Sequence, residues 1–338
     1  MITHEPNSQY VAAKDRYKEM EYPYCGNSGL RLPKISLGLW QNFGDVDTLK
    51  NASNILHSAF DLGVTHYDLA NNYGPPYGAA ESTFGRIIKQ SLKPYRDELI
   101  ISSKAGYDMW PGPYGVGGSR KYIISSCEQS LKRTGLDYFD VFYHHTPDKN
   151  TPLEETMAAL DHLVRTGKAL YIGISNYRPK ECARAISILK ALGTPLLVHQ
   201  PRYNMFDRWI EDGLSELLIN EGVGGIVFSP LAQGLLSDKY LQGIPSNSRA
   251  ARSEIVHLNN EQITDDKLRK IKALNALAKS RGQTLAQMAI VWTLRNPAVS
   301  SCLVGASKAE QVVSSVEALK QQDFSEQELT KIDEIIGS

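Results

Sequence analysis

Four polar side chains sit where short apolar runs of this chain end. They are Asp68 and Tyr73 in Tyr67-Asp68-Leu-Ala-Asn-Asn-Tyr73, Lys104 in Ser102-Ser103-Lys104, and His145 in Tyr143-His144-His145-Thr146. Together they make a proton-donating set. A phenol with its ordinary pKa of ~10 is a poor acid near neutral pH, and an adjacent ammonium such as Lys104 lowers that value by favouring the phenolate. Asp68 is suited to hold the lysine charged and oriented, and His145 to orient a carbonyl or help the proton move. The chemistry that fits is protonation of an alkoxide as a hydride arrives, efficient when the donor's pKa nears the working pH. Taken singly, each residue has an ordinary reading: Asp before a turn, Lys in solvent, His144 and His145 as a satisfied polar pair. Their placement on three successive runs is what points to catalysis. No His-Glu-x-x-His and no third clustered ligand accompany them, so no metal centre is expected.

Eight short apolar runs, over residues 35–39, 65–69, 99–103, 140–144, 169–174, 196–200, 225–228 and 302–304, predict strands. Between them apolar residues recur at helical spacing, as in 48–62 through Leu49, Ile55, Phe60 and Leu62, and in 153–165 through Met157, Leu160 and Val164. Gly63, Gly135, Gly167 and Gly193 follow predicted helices, where a left-handed residue ends the coil. Such alternation predicts a parallel sheet covered by helices, and eight units predict a closed (β/α)8 TIM barrel. In a barrel Asp68, Tyr73, Lys104 and His145 gather along one edge of the C-terminal mouth, where active sites are built. Two long loops, 106–120 and 233–266, border the same mouth. Helices over 267–280 and 284–295 precede the last strand, and a segment over 326–336 packs outside. The Gly26-Asn-Ser-Gly29 turn predicts a small β-hairpin between residues 22 and 32. Residues 1–20 read as a polar tail or a partner-facing arm and 21–338 as one domain.

Composition narrows the class. The chain has 338 residues, 42% of them hydrophobic, too apolar for disorder and long enough for a large core. Lys+Arg and Asp+Glu both number 37, so nothing favours nucleic acid, which needs a basic surface. The longest apolar run falls short of the ~18 residues of a membrane span. Cys25, Cys127, Cys182 and Cys302 are scattered, as reduced thiols of a cytoplasmic protein are. The start has no apolar leader, which argues against export. A dinucleotide site of the Rossmann type is not expected: Gly115/Gly117 is followed by Arg120 and Gly222/Gly224 by Val227, so no Gly-x-Gly-x-x-Gly exists. A dinucleotide must use the barrel mouth, whose last two loops often hold phosphate.

The chain resembles the aldo-keto reductase superfamily over about residues 22 to 337. The matching stretches are DLANNYG (68–74), SK (103–104), LDYFDVFYHHTPD (136–148), GISNY (173–177), QPRYN (200–204), FSPLAQGLL (228–236) and GASKAEQ (305–311). The loops MWPGPYG (109–115), GSRK (118–121) and DKYLQGIP (238–245) look like the branch of bacterial L-glyceraldehyde-3-phosphate and methylglyoxal reductases, related to potassium channel β-subunits. The resemblance implies that Tyr73 is the general acid, with Asp68, Lys104 and His145 completing a tetrad. It implies an NADP(H) cofactor, its carboxamide held by Ser175, Asn176 and Gln200 and its ring stacked on Phe228. Ser229, Leu231, Gly234 and Lys239 would line the pyrophosphate. Ser307, Lys308 and Gln311, joined by Arg249, would line the adenosine phosphate end. Trp40, counted with both cofactor and substrate, and Trp110 would shape a pocket for a small carbonyl compound. Arg120 or Lys121 could meet a substrate phosphate or form a surface pair. Where many relatives carry Glu-Asn against adenine, this chain has Ser314-Ser315. A homo-oligomer, tetramer or octamer, is the expected assembly by analogy. The alternative is an NADP-binding redox-sensing subunit like the channel β-subunits.

Overall fold

The computed structural model describes residues 10–237 and 264–337. Its parallel strands are β1 (Ile35–Gly38), β2 (His66–Asp68), β3 (Ile100–Ala105), β4 (Phe139–His144), β5 (Ala169–Ser175), β6 (Val198–Gln200), β7 (Gly224–Phe228) and β8 (Val299–Gly305). Each pairs with the next, and β8 returns to β1 through Ile35 opposite Cys302 and Gly38 opposite Gly305. The expected barrel closes. Around it run α1 (Leu49–Asp61), α2 (Ala79–Ile87), α3 (Arg120–Thr134), α4 (Leu153–Arg165), α5 (Pro179–Leu192), α6 (Leu214–Glu221), α7 (Asp265–Ser280), α8 (Leu285–Leu294), α9 (Ala309–Glu317) and α10 (Glu326–Gly337).

Local chemistry sets these boundaries. The hydroxyls of Thr48, Ser119 and Thr284 accept the orphan amides of Asn51, Tyr122 and Gln287 at the starts of α1, α3 and α8. At the ends of α3 and α5, Gly135 and Gly193 take the left-handed conformation at φ 69° and 80°, as their sequence positions predicted. The main core lies between strands and helices, where side chains such as Ile55, Phe60, Phe142, Leu160 and Trp292 are fully buried. Each such apolar side chain contributes about 1.5–3 kcal/mol. A smaller cluster fills the barrel's lower interior with Val141, Tyr143, Val198, Ile226 and Leu303. Cys25 and Leu32 of the hairpin join this cluster and plug its floor. The hairpin is reduced to one antiparallel bridge, Tyr24 to Arg31. Pro23 accepts the Leu32 amide at 3.0 Å but has no amide to return the bond, and the ladder goes on only through the Lys34 amide to the Glu21 carbonyl at 3.0 Å.

The polar tail needs correction over its described part. Residues 10–20 lie on the barrel's outer layer, against α1 and the turn before β3. The Tyr10 ring stacks on His57 at 3.8 Å, and its hydroxyl donates to Asp61 Oδ1 at 2.8 Å. The same oxygen takes the Ala13 amide at 2.8 Å, while the Ala12 amide donates to the Tyr95 hydroxyl. Arg16 pairs with Glu98. A buried aromatic with a satisfied hydroxyl is a docked residue, and Tyr10→Ala should destabilise the protein by roughly 2–4 kcal/mol, read as a lower denaturation midpoint. An unchanged midpoint would mean that the arm contributes nothing.

Candidate active site

Register brings the predicted set together. Asp68 on β2 sits opposite Gly38 and Ser102, and Lys104 on β3 opposite Tyr143. Asp68 and Lys104 are fully buried and form an ion pair. The Lys104 ammonium also donates to the Leu69 carbonyl at 2.8 Å and the Tyr73 hydroxyl at 3.3 Å. An ammonium has three protons and no acceptor capacity, so these three partners fix it. Asp68 Oδ1 in turn accepts from the Ser102 hydroxyl at 2.7 Å and from Gln200 Nε2 at 3.1 Å.

His145 follows β4, its amide bonded to the Ala105 carbonyl at 2.9 Å. Its ring lies 5.9 Å from that of Tyr73 and 4.7 Å, edge-on, from Tyr107. Nδ1 of His145 is buried without a partner. Trp40 leans over Tyr73 at 6.4 Å. The loop that carries Trp40 closes onto the turn after Tyr73 at Gly44, where a Cβ would stand 2.3 Å from the Pro75 carbonyl oxygen. Only glycine allows that approach.

Electrostatics correct one expectation. The phenol of Tyr73 is pushed well above its ordinary value, first by burial and then by Asp68 and Tyr107. Solvent reaches part of the half-buried ring and moderates this rise without reversing it. Lys104 lies within reach, but Asp68 offsets its field. Burial also pulls the ammonium downward, with Asp68 opposing. His145 is held well below the usual imidazole range by burial, with Lys104 and His144 adding to it. The arrangement therefore keeps a neutral phenol and a neutral imidazole beside a fixed cation.

The expected cofactor residues fall in two groups. At the ends of β5 and β6, the Ser175 hydroxyl donates to the Gln200 carbonyl at 2.7 Å, and Asn176 Nδ2 donates to Ser175 Oγ at 3.1 Å and to the His145 carbonyl at 3.3 Å. Asn176 and Ser229 both take left-handed backbone, at φ 63° and 55°, strain of a kind that collects at functional sites. Phe228 ends β7 half-buried, and Leu231 and Gly234 lie in the turn beyond it. In the second group, Gln311 Oε1 accepts the Ser307 amide at 2.7 Å, and Lys308 stands exposed before α9. Lys239 and Arg249 lie outside the described residues.

Several positions differ from expectation or were not foreseen. Trp110 packs on Tyr122 at 5.1 Å, and the Tyr122 hydroxyl bonds the Tyr107 carbonyl, which links Trp110 to the ring beside His145. Arg120 is directed to the Ala158 carbonyl on α4 at 3.3 Å, and Lys121 lies over the Tyr114 ring. Both are surface contacts of the loop. The Ser315 hydroxyl bonds back to the Gln311 carbonyl at 2.8 Å, serving its own helix. Ser102, Tyr107 and Asn51, which donates to the Ser307 carbonyl at 3.1 Å, were missed. Ser102 had a signal: it lies two residues before Lys104 in a strand and so on the same face. Among the described residues no three His, Cys, Asp or Glu side chains gather to hold a metal, and no helix is long and apolar enough to cross a membrane.

The model of the Aldo/keto reductase family matches residues 34–337. The chain belongs to the aldo/keto reductase family. It is 54% identical to the L-glyceraldehyde 3-phosphate reductase of Escherichia coli K12 over 331 residues, 97% of this chain and 96% of that protein. It is 39% identical over 305 residues to the "Probable voltage-gated potassium channel subunit beta" of Arabidopsis thaliana, covering 89% and 91% of the two chains. As an aldo/keto reductase the protein is an oxidoreductase that uses a nicotinamide cofactor. The residues present fit such a group. Ser175, Asn176 and Gln200 would offer hydroxyl and amide groups to its carboxamide, and the half-buried Phe228 an apolar face to its ring.

His144, behind the site, donates to or accepts from the Tyr177 hydroxyl at 2.6 Å, and burial pulls it to about 4. His199, bonded to the Tyr177 carbonyl at 3.1 Å, is pulled to about 3. Both are lowered on folding, so their stabilisation is complete above about pH 6.5 and is lost as pH falls toward those values. The thermal midpoint should drop between pH 7 and 4.5, and His199→Gln should shrink that drop. An equal drop in the variant would remove His199 from the acid response.

Proposed function

We propose that this reductase converts small aldehydes to alcohols with NADPH, Tyr73 acting as general acid. L-glyceraldehyde 3-phosphate is the first candidate substrate and methylglyoxal the second. The observation that carries the reading is the Lys104 ammonium shared between Asp68 and the Tyr73 hydroxyl at the barrel mouth. The cofactor supplies the hydride when bound. Tyr73, kept neutral by burial, holds the proton that the carbonyl oxygen must receive. Lys104 stabilises the phenolate left behind, and Asp68 keeps Lys104 in place. The neutral His145 imidazole positions the carbonyl oxygen toward Tyr73. Tyr107 flanks the His145 ring and Trp40 the Tyr73 ring, bordering the place where the carbonyl would lie. The exposed Lys308 at the start of α9, with Lys239 and Arg249 in the sequence of the preceding loop, supports a third phosphate and hence NADP(H). Identity to a protein named for L-glyceraldehyde 3-phosphate supports that substrate.

A homo-oligomer acting in the cytoplasm goes with this reading, supported by family resemblance and by four buried, unpaired cysteines. A cofactor-sensing subunit is the second reading, favoured by the relative named as a channel subunit. An aldehyde panel with NADPH and NADH separates the two: sustained turnover supports the reductase, and a single slow turnover with retained cofactor supports the sensor. Tyr73→Phe should bind NADPH normally and lose about two orders of magnitude or more in kcat; normal turnover would remove Tyr73 from the mechanism. Lys308→Ala should weaken NADPH more than NADH in fluorescence titration, and equal losses would contradict the phosphate assignment.

A further inference from the structure

A string of polar side chains runs down the barrel interior beneath Asp68, where such barrels are usually filled with branched apolar residues. Ser102 Oγ lies 2.7 Å from Asp68 Oδ1, and His66 Nε2 lies 3.0 Å from Ser102 Oγ. His66 Nδ1 lies 2.8 Å from Ser36 Oγ, Ser36 Oγ 2.6 Å from Ser301 Oγ, and Ser301 Oγ 2.6 Å from the Pro33 carbonyl oxygen. All four side chains are fully buried, one each on β3, β2, β1 and β8. The string starts in the tetrad and ends at the barrel floor.

With a neutral imidazole the string is one proton short. Five hydrogen bonds need five protons, and both ends, a carboxylate and a carbonyl, only accept. From the floor upward, Ser301 must donate to Pro33, Ser36 to Ser301, and His66 Nδ1–H to Ser36. From the top downward, Ser102 must donate to Asp68, and His66 Nε2–H to Ser102. Both imidazole nitrogens are thus required to carry protons. With a neutral imidazole the string holds four protons, three from serine hydroxyls and one from the ring, and one contact is left with two lone pairs facing, a costly arrangement away from water.

We propose that His66 is a positioning residue for the tetrad, whose uptake of a proton completes this string and eases proton donation by Tyr73. The added proton resides on His66, where it gives each of the five links one donor and one acceptor. The imidazolium beneath Asp68 offsets the negative charge that holds the Tyr73 phenol up. The charged groups acting on His66 are Asp68 on its own strand, which favours the imidazolium, and Lys104 on β3, which opposes it. β1 and β8 contribute only the hydroxyls of Ser36 and Ser301. Burial draws the imidazole to about 4; the two N–H bonds work against that pull. The kinetic half of this proposal rests on Tyr73 as the acid, whereas the proton count does not.

The test uses protein labelled with 15N-histidine, without cofactor or substrate, alongside Ser36→Ala and Ser301→Ala. Each substitution removes the demand for the fifth proton, because a neutral imidazole then satisfies every remaining link. The 15N shifts of His66 should show double protonation at a pH at least one unit higher in the wild type than in either variant. Equal midpoints, or a lower one in the wild type, overturn the proposal. In the pH profile of kcat, the wild type should show an inflection at the NMR midpoint that both variants lack, with KM within about two-fold. An inflection retained in the variants overturns the coupling to Tyr73. A His66 titration that behaves as expected in a protein whose Tyr73→Phe variant is fully active leaves the proton count standing and removes only the acid role.

Discussion

The buried pair of Asp68 and Lys104 is the constraint from which the rest of the mouth follows. Two opposite charges taken wholly out of water are stable only when their remaining hydrogen-bonding capacity is met. Lys104 spends its protons on Asp68, Leu69 and Tyr73, and Asp68 collects Ser102 and Gln200 as well. Residues from β2, β3 and β6 are thereby tied to one point. Gln200 carries the tie onward, since its backbone carbonyl receives Ser175, and Ser175 receives Asn176. The proton donor and the proposed carboxamide contacts thus share one hydrogen-bonded frame. A shift in the ion pair would be felt at both.

Much of the architecture was legible because barrels repeat a simple pattern. Eight apolar runs, helical spacing between them and glycines at helix ends placed every strand and the stops after α3 and α5. The tetrad was legible because its members end successive strands. What escaped had weaker signals. Tyr10, Ala12 and Met20 dock the N-terminal arm, but three apolar residues without period in a charged stretch read as a tail. Ser36, His66 and Ser102 lie within apolar runs, where single polar residues pass as tolerated exceptions; reading alternate positions would have put them on the face of Asp68 and Lys104. The upward shift of Tyr73 was not legible, because burial and the offsetting charge of Asp68 depend on the fold, whereas the sequence shows only that a lysine is available. Arg120 turned outward because the loop's end is also the first turn of α3, whose exposed side meets α4.

The same scaffold is shared with proteins bearing two different names, a reductase and a channel subunit. That is what a barrel allows, since the chemistry sits in strand ends and loops while the frame serves many ends. In this chain the frame differs from an inert support. Its interior carries Ser301, Ser36, His66 and Ser102 on β8, β1, β2 and β3, beside an apolar cluster in which Val141, Tyr143, Val198, Ile226 and Leu303 pack. The polar string runs beneath Asp68.

The seam between β1 and β8 also governs assembly. β1 obtains β2 as a neighbour early in the chain, but its other edge is covered only by residues close to the C-terminus. Until those residues arrive, the unpaired edge of β1 is open to wrong partners, a hazard of any bare strand edge. Above the seam, Asn51 at the start of α1 reaches the Ser307 carbonyl beyond β8, fastening the first β/α unit to the last. The ring is therefore locked where its ends meet. A chain cut short before residue 299 would lose β8 and leave an open trough whose first strand stays unsatisfied, so that loss of these few residues would undo the whole cylinder.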